Sequence, residues 1–387
     1  MREKQSALNS EYVIDGIARK LTPAMILDDC LATGVAAKAA PGVFGPIIDE
    51  TIDPSPVTTS LDDGRLNEYI EKTSVALSSP RKCPVPFAGP YAKSRVAKAL
   101  IDAIWMNGRF RLCDLELVAR WKWNTKALGN MAAFYSSVEE AAEYVGSLGI
   151  SLRGYSFSEN ESCEVGFKVG AAPSESYGRE DEDEDCMSLW DTPFGSEHPV
   201  MGRKRMRGSA FDPDPESWII YIPFDTCDYR LGGSALCDAI GVTGGTFPEI
   251  SDADYFIDCH ELVREFVEDN VVVAGETVAD GGLIRALESL CEGEAGASVN
   301  LSSLMSAYGL DKVSRTLFSE VPGVLIQIRD KDYDYVDAEC LLQDIAYYPL
   351  GHPVPGSGKI NIKSGSKPAI SDILESLLNG QASEGED

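Results

Sequence analysis

Residues 271–290, VVVAGETVADGGLIRALESL, decide the fold class. Val271-Val272-Val273-Ala274-Gly275 is a short β-branched run of the kind that forms a buried strand. Asp280-Gly281-Gly282 supplies a turn, and Leu283 to Cys291 reads as a helix. Asp258 to Asn270, upstream, predicts another helix, with Leu262, Val263, Phe266 and Val267 on its apolar face. Trp218 to Phe224 is a continuous apolar strand, and Ala297–Leu301 and Gly323–Ile328 are further strands. Strands alternating with helices predict an α/β sandwich over residues 215–352.

The first half reads differently. Residues 1–24 form a polar N-terminal extension, and 25–90, rich in Pro, Gly and Ala, read as loops and short strands. A helix is expected from Ser94 to Met106, with Val96, Leu100, Ile101 and Ile104 in one stripe. Leu115 to Trp123 alternates as a half-buried strand. Ser137 to Leu148 is a helix stopped by Gly149, and Ile150–Leu152 a short strand. These elements predict an α+β domain over residues 25–170. Trp121 and Trp123 share one face of their strand, an aromatic face expected to pack against a partner domain. Residues 171–214 carry the acidic run Arg179–Asp185 and the basic run Arg203–Arg207. They read as a charged insert, exposed and mobile over 175–212. Residues 353–387 read as a tail, polar and acidic from Gly380.

Composition narrows the function. The 387 residues carry 34 Lys plus Arg against 62 Asp plus Glu, a net charge of −28. Such a surface repels phosphate backbones and anionic lipid, which argues against broad nucleic-acid or membrane binding. The opening residues have no apolar run after their basic residues, and the ten cysteines show no CxxC spacing. A cytoplasmic protein with reduced thiols is therefore expected. The three histidines, His198, His260 and His352, fall in no HExxH or comparable motif. His260 is expected at a helix surface or boundary.

Two glycine turns carry the candidate site: Gly232-Gly233-Ser234 and Asp280-Gly281-Gly282. Glycines ahead of a helix let backbone N–H groups approach a phosphate, and they equally suit a tight turn needing positive φ. Neither turn is a GxxxxGK[ST] or GxGxxG loop.

Taken in order, Tyr229-Arg230-Leu231-Gly232-Gly233-Ser234-Ala235-Leu236, Asp280-Gly281-Gly282-Leu283 and Leu317-Phe318-Ser319-Glu320 resemble the second synthetase-like half of large single-chain phosphoribosylformylglycinamidine synthase. That enzyme belongs to the aminoimidazole ribonucleotide synthetase (PurM-like) superfamily. Gly45-Pro46 with Val57-Thr58-Thr59, and Ser94 to Leu100, resemble the family's metal loop and following helix. The resemblance covers roughly residues 30–160 and 215–350. It implies a two-domain PurM-like fold whose N-terminal α+β domain forms a barrel with a partner domain, in a homodimer or a heteromeric assembly.

The departures from the family pattern are chemical. Where the family has a Glu and an Asn beside magnesium, this chain has Lys98 and Asp102. Thr277, within Glu276-Thr277-Val278-Ala279, replaces a metal-binding Asp, and Gly154-Tyr155-Ser156 stands in place of Gly-Lys-Asp-Ser. The resemblance leaves Asp53 as the one surviving metal-ligand candidate. A hard cation needs several oxygen ligands, and an ammonium is no ligand. The expectation is a degenerate, non-catalytic relative with a structural or interaction role and no firmly bound cofactor. In it Gly232, Gly233, Ser234, Asp280, Gly281 and Gly282 are vestigial nucleotide- or phosphate-binding turns. The alternative is an ATP-dependent ligase, or a subunit of a split enzyme of purine synthesis, using ATP or ADP with magnesium.

Overall fold

The computed structural model describes residues 7–31, 61–106, 110–171, 207–242 and 245–363. The described residues open with a 3-10 turn at Ala7–Asn9 and a small hairpin, β1 (Val13–Ile14) and β2 (Ile17–Ala18), followed by α1 (Pro23–Asp29). Thr22 caps α1 by accepting the Met25 N–H, and Pro23 takes the first helical position, where no donor is needed. Helices α2 (Leu66–Leu77) and α3 (Ala88–Met106) follow. Both α1 and α2 fall within the stretch expected to be loops and short strands. Tyr69 and Thr73 form only a thin buried stripe on α2, which is why its period is faint in the sequence.

Next come β3 (Leu115–Trp123), α4 (Asn130–Ser147), β4 (Ser151–Glu159) and β5 (Glu164–Ala171), which form a three-stranded sheet in the order β4-β3-β5. β3 and β4 are parallel, so their connection must cross over, and α4 is that crossover. β5 returns antiparallel to β3.

The expected outward aromatic face is overturned. Trp121 and Trp123 are fully buried beneath α4. Trp121 Nε1 donates to Ser137 Oγ at 3.0 Å and Trp123 Nε1 to the Asn130 carbonyl at 2.6 Å, and both rings pack on Phe134. Alternation identifies two faces but not which one the crossover helix covers. The outward positions of β3 are Val118, Arg120 and Lys122.

The second half contains β6 (Trp218–Pro223), α5 (Ala235–Ile240), α6 (Ala253–Glu268), β7 (Val272–Val278), α7 (Gly282–Leu290), β8 (Ala295–Asn300), α8 (Ser302–Ala307), α9 (Val313–Phe318), β9 (Gly323–Ile328), α10 (Tyr333–Leu342), β10 (Tyr348–Pro355) and β11 (Ile360–Lys363). Its six-stranded sheet runs β11-β8-β10-β6-β9-β7, and only the β8–β11 pair is parallel. β6 and β9, buried along nearly their whole length, pair in simple register with Ile220 opposite Ile326. That double-sided burial is what their uninterrupted apolar runs encode.

The expected exposure over 175–212 fails at its end, since Gly208 bridges Ala274 at the edge of β7 and Phe211 is buried. Residues 175–206 lie outside the described residues. His260 is not at a helix surface. It is 1% exposed on α6, with the Leu100 carbonyl of α3 beside its ring. Arg264, one turn on, is clamped by Glu261, Glu265 and Glu268. No described helix is long and apolar enough to cross a membrane.

Candidate functional site

The two glycine turns meet at one carboxylate. Glu320 follows α9, and its Oε1 accepts the Ala235 N–H at 2.8 Å and the Gly281 N–H at 2.9 Å. Ser234 caps α5 by accepting the Cys237 N–H, and Gly281 leads into α7 at a φ of 82°. Arg81, from the connection between α2 and α3, reaches between the turns. It donates to Glu320 at 2.6 Å, to Asp280 at 3.0 Å and to the Gly233 carbonyl. Arg95 of α3 closes the far side on Asp280. The Tyr91 ring lies beneath both guanidiniums, 5.6 Å from Arg81 and 5.7 Å from Arg95.

The electrostatics follow from depth. The Arg81 side chain is 7% exposed and Glu320 4%. Burial works against the Arg81 cation, but Glu320 and Asp280 outweigh it and raise its pKa. Burial also works against the Asp280 carboxylate, yet Arg95, Arg81 and Lys98 hold it well below the usual range. For Glu320 burial wins over the Arg81 field and pushes the carboxyl up.

Close packing accounts for the glycines. A Cβ on Gly233 would fall 2.6 Å from the Phe87 ring, and one on Gly282 would fall 2.5 Å from the Leu317 carbonyl oxygen. Both residues also sit at positive φ, so side chains are excluded there without any ligand.

A second corner lies across Asp280. Lys98 and Asp102, one turn apart on α3, form an ion pair. Thr277 Oγ1 donates to Asp102 Oδ1 at 2.6 Å and accepts from Trp105 Nε1 at 2.9 Å. Glu276, the neighbour of Thr277, accepts from Ser289 Oγ at 3.1 Å. Among the described residues no three His, Cys, Asp or Glu side chains converge as a metal-binding group. Magnesium does not fit this corner: an ammonium occupies it, and the one carboxylate facing Thr277 is already engaged by two donors.

The three segments Tyr229–Leu236, Asp280–Leu283 and Leu317–Glu320 thus meet around Glu320 and Arg81. A probable phosphoribosylformylglycinamidine synthase of Arabidopsis thaliana, named chloroplastic/mitochondrial, is 25% identical over 273 residues, 70% of this chain. The Homo sapiens phosphoribosylformylglycinamidine synthase is 23% identical over 242 residues, 62% of the chain. This chain resembles the phosphoribosylformylglycinamidine synthases. It spans only 18% and 16% of the length of those two relatives. No family model matches. The structure of Thermotoga maritima PurL complexed with FGAR superimposes with a TM-score of 0.51 at 14% identity, covering 74% of this chain and 42% of that one. That likeness shows a shared mixed α/β fold.

All six residues expected in the synthase-like turns are brought together. Asp53, with the Gly45-Pro46 and Val57–Thr59 segments, lies outside the described residues. The Tyr155 hydroxyl, in the segment replacing Gly-Lys-Asp-Ser, donates to Asp28 Oδ1 at 2.7 Å. Arg81, Arg95 and Glu320 stand outside the six residues expected from the sequence. Arg95 and Glu320 lie inside quoted motifs and could have been found there. Arg81 sits in a segment with no motif, so only the fold reveals it.

Proposed function

We propose that this chain is a degenerate phosphoribosylformylglycinamidine synthase-like protein, non-catalytic, with a structural or protein-interaction role. The observation that carries the reading is the Lys98–Asp102–Thr277–Trp105 corner. Side chains standing where the resemblance places magnesium ligands satisfy one another. A unit charge at ~4 Å is worth about 4 kcal/mol at an effective dielectric near 20, and a divalent ion feels twice that from Lys98. The Gly232-Gly233-Ser234 and Asp280-Gly281-Gly282 turns are vestigial phosphate cradles, with the N–H groups of Ala235 and Gly281 now engaged by Glu320. Asp53, if it once bound metal, is the remnant of that set.

The proposed organisation is a PurM-like N-terminal domain at 25–170, an insert at 171–214 and a C-terminal domain from 215, whose sheet continues past the expected tail boundary at 353 through β11 to Lys363. The partner is another PurM-like domain completing a barrel on the open face of the three-stranded sheet. The free thiols of the described cysteines suit a reducing, cytoplasmic setting.

Calorimetric titration with ATP and magnesium tests the reading. The wild type is expected to bind weakly or not at all, and the triple variant Lys98→Glu, Asp102→Asn, Thr277→Asp to gain binding. Micromolar, magnesium-dependent binding by the wild type would sink it. That outcome would promote an ATP-dependent ligase of purine synthesis, or a subunit of a split one.

A further inference from the structure

Two cysteines outside the site are tied together by the backbone. Cys83 belongs to the connection between α2 and α3, two residues beyond Arg81, and Cys163 to the turn between β4 and β5. The Cys83 N–H donates to the Cys163 carbonyl at 2.7 Å. The bonds along that contact keep the two α-carbons within about 7 Å, and the Cys163 thiol is close enough to act on the Cys83 thiol, which suits the span a disulfide bridges. Both residues are free thiols and both are buried at 5% exposure. Asn130 Nδ2 donates to Cys163 Sγ at 3.5 Å, so a polar donor already faces that sulfur.

We propose that Cys83 and Cys163 form a redox-modification site, closed to a disulfide by exchange with a low-molecular-weight disulfide of the oxidised-glutathione class. The Cys163 thiolate, helped by the Asn130 amide, attacks one sulfur of the external disulfide. One glutathione thiolate leaves, and a mixed disulfide remains on Cys163. The Cys83 thiolate then attacks the Cys163 sulfur and expels the second glutathione thiolate. Two protein thiols are oxidised, one external disulfide is reduced to two thiols, and the two protein protons pass to the leaving thiolates. The second step is intramolecular, because the backbone bond holds the partners adjacent.

Burial opposes both thiolates, raising the pKa of Cys83 and of Cys163. Exchange therefore passes through brief opening of the turn at 160–163, which has no regular secondary structure and whose Asn160 and Glu161 are exposed. Once closed, the bond fixes the Arg81 connection to the three-stranded sheet while Arg81 itself holds Glu320 beside the six-stranded one. Oxidation thereby converts a polar contact between the two halves into one with a covalent anchor on one side.

The test is performed on the folded full chain. It is incubated with oxidised glutathione, quenched by alkylation, digested without reduction and mapped by mass spectrometry. The expected product joins the peptides of Cys83 and Cys163, lacks two hydrogen masses, and is reversed by dithiothreitol. It exceeds any other pairing by about tenfold or more, as proximity requires. Recovery of both residues as alkylated thiols, or of either joined mainly to another cysteine, would overturn the proposal. The Cys83→Ser variant is expected to trap the glutathione adduct on Cys163, and the absence of that adduct would refute the order of attack.

Discussion

The Arg81–Glu320 corner and the Lys98–Asp102 corner share Asp280 as a neighbour, and both pair charges, but they do so in different surroundings. In the first, Arg81 and Glu320 are 7% and 4% exposed, and three elements converge on them. In the second, Lys98 and Asp102 are 28% and 23% exposed, and the pair lies along one helix. Buried charges depend on their partners because water cannot replace them, whereas a wetter pair exchanges one good solvent for another. The first corner is thus architectural, holding the two glycine turns in place. The second is a partly exposed pair along one helix, which the proposed function reads as a replacement of metal ligands.

The largest effect is expected at Arg81. Arg81→Met leaves Glu320 buried without its cation and takes one of two guanidiniums from Asp280. It should cost about 3–5 kcal/mol in urea unfolding. Adding Glu320→Gln should recover part of that loss, since the uncompensated charge disappears. A loss below about 1 kcal/mol for Arg81→Met would erase the contrast between the corners.

Much of the architecture was legible because burial writes a period into sequence. The runs at 218–224 and 323–328, buried on both faces, gave their strands within a residue of the observed bounds. The three motifs of the candidate site were legible by their resemblance. What stayed hidden depends on contacts between distant segments. Arg81 acts 239 residues away on Glu320, with no local pattern to mark it. The Trp121 and Trp123 face was misjudged for a related reason: a strand shows its alternation, but the helix that covers one side is chosen by topology.

His260 calibrates what burial alone does on the opposite side of α3. Burial lowers its pKa to about 4, with Glu261 and the Leu100 carbonyl opposing and Arg264 assisting. The unfolded chain takes up this proton near the ordinary value of 6.5, the folded chain only near 4. The unfolded state thus binds more protons between those values, and stability falls as pH drops from 6.5 towards 4, by up to about 3 kcal/mol. Urea unfolding of His260→Leu between pH 7 and 4.5 should show a smaller loss than the wild type. Equal losses would mean that this ring takes up its proton at the same pH in the folded and unfolded states.

Thr277 should give a smaller effect. Thr277→Val keeps the shape but removes one donor from Asp102 and the Oγ1 acceptor from Trp105 Nε1. The expected cost is about 1–3 kcal/mol, because the indole N–H is buried and cannot turn to water. Tryptophan fluorescence offers a second readout, since the Trp105 indole loses its hydrogen bond to Thr277. An unchanged stability with an unchanged spectrum would show that this hydrogen-bond chain contributes nothing to the corner.

The smallest effect belongs to Lys98, and it sharpens the comparison most. Its ammonium bonds Asp102 one helical turn away, and with 28% of the side chain exposed the pair is partly screened by solvent. Lys98→Met should therefore cost less than about 1 kcal/mol, and the cost should shrink further as salt is raised from low to physiological strength. The Arg81→Met cost, by contrast, should be nearly insensitive to salt, because ions do not enter the dry corner. Parallel urea titrations of the two variants at low and high ionic strength check this. If the Lys98→Met cost matched that of Arg81→Met and resisted salt, the ammonium would be an architectural element like the guanidinium. The view of this corner as a tolerated replacement of metal-ligand chemistry would then fail, because a residue the fold depends on is not a substitution it merely accepts.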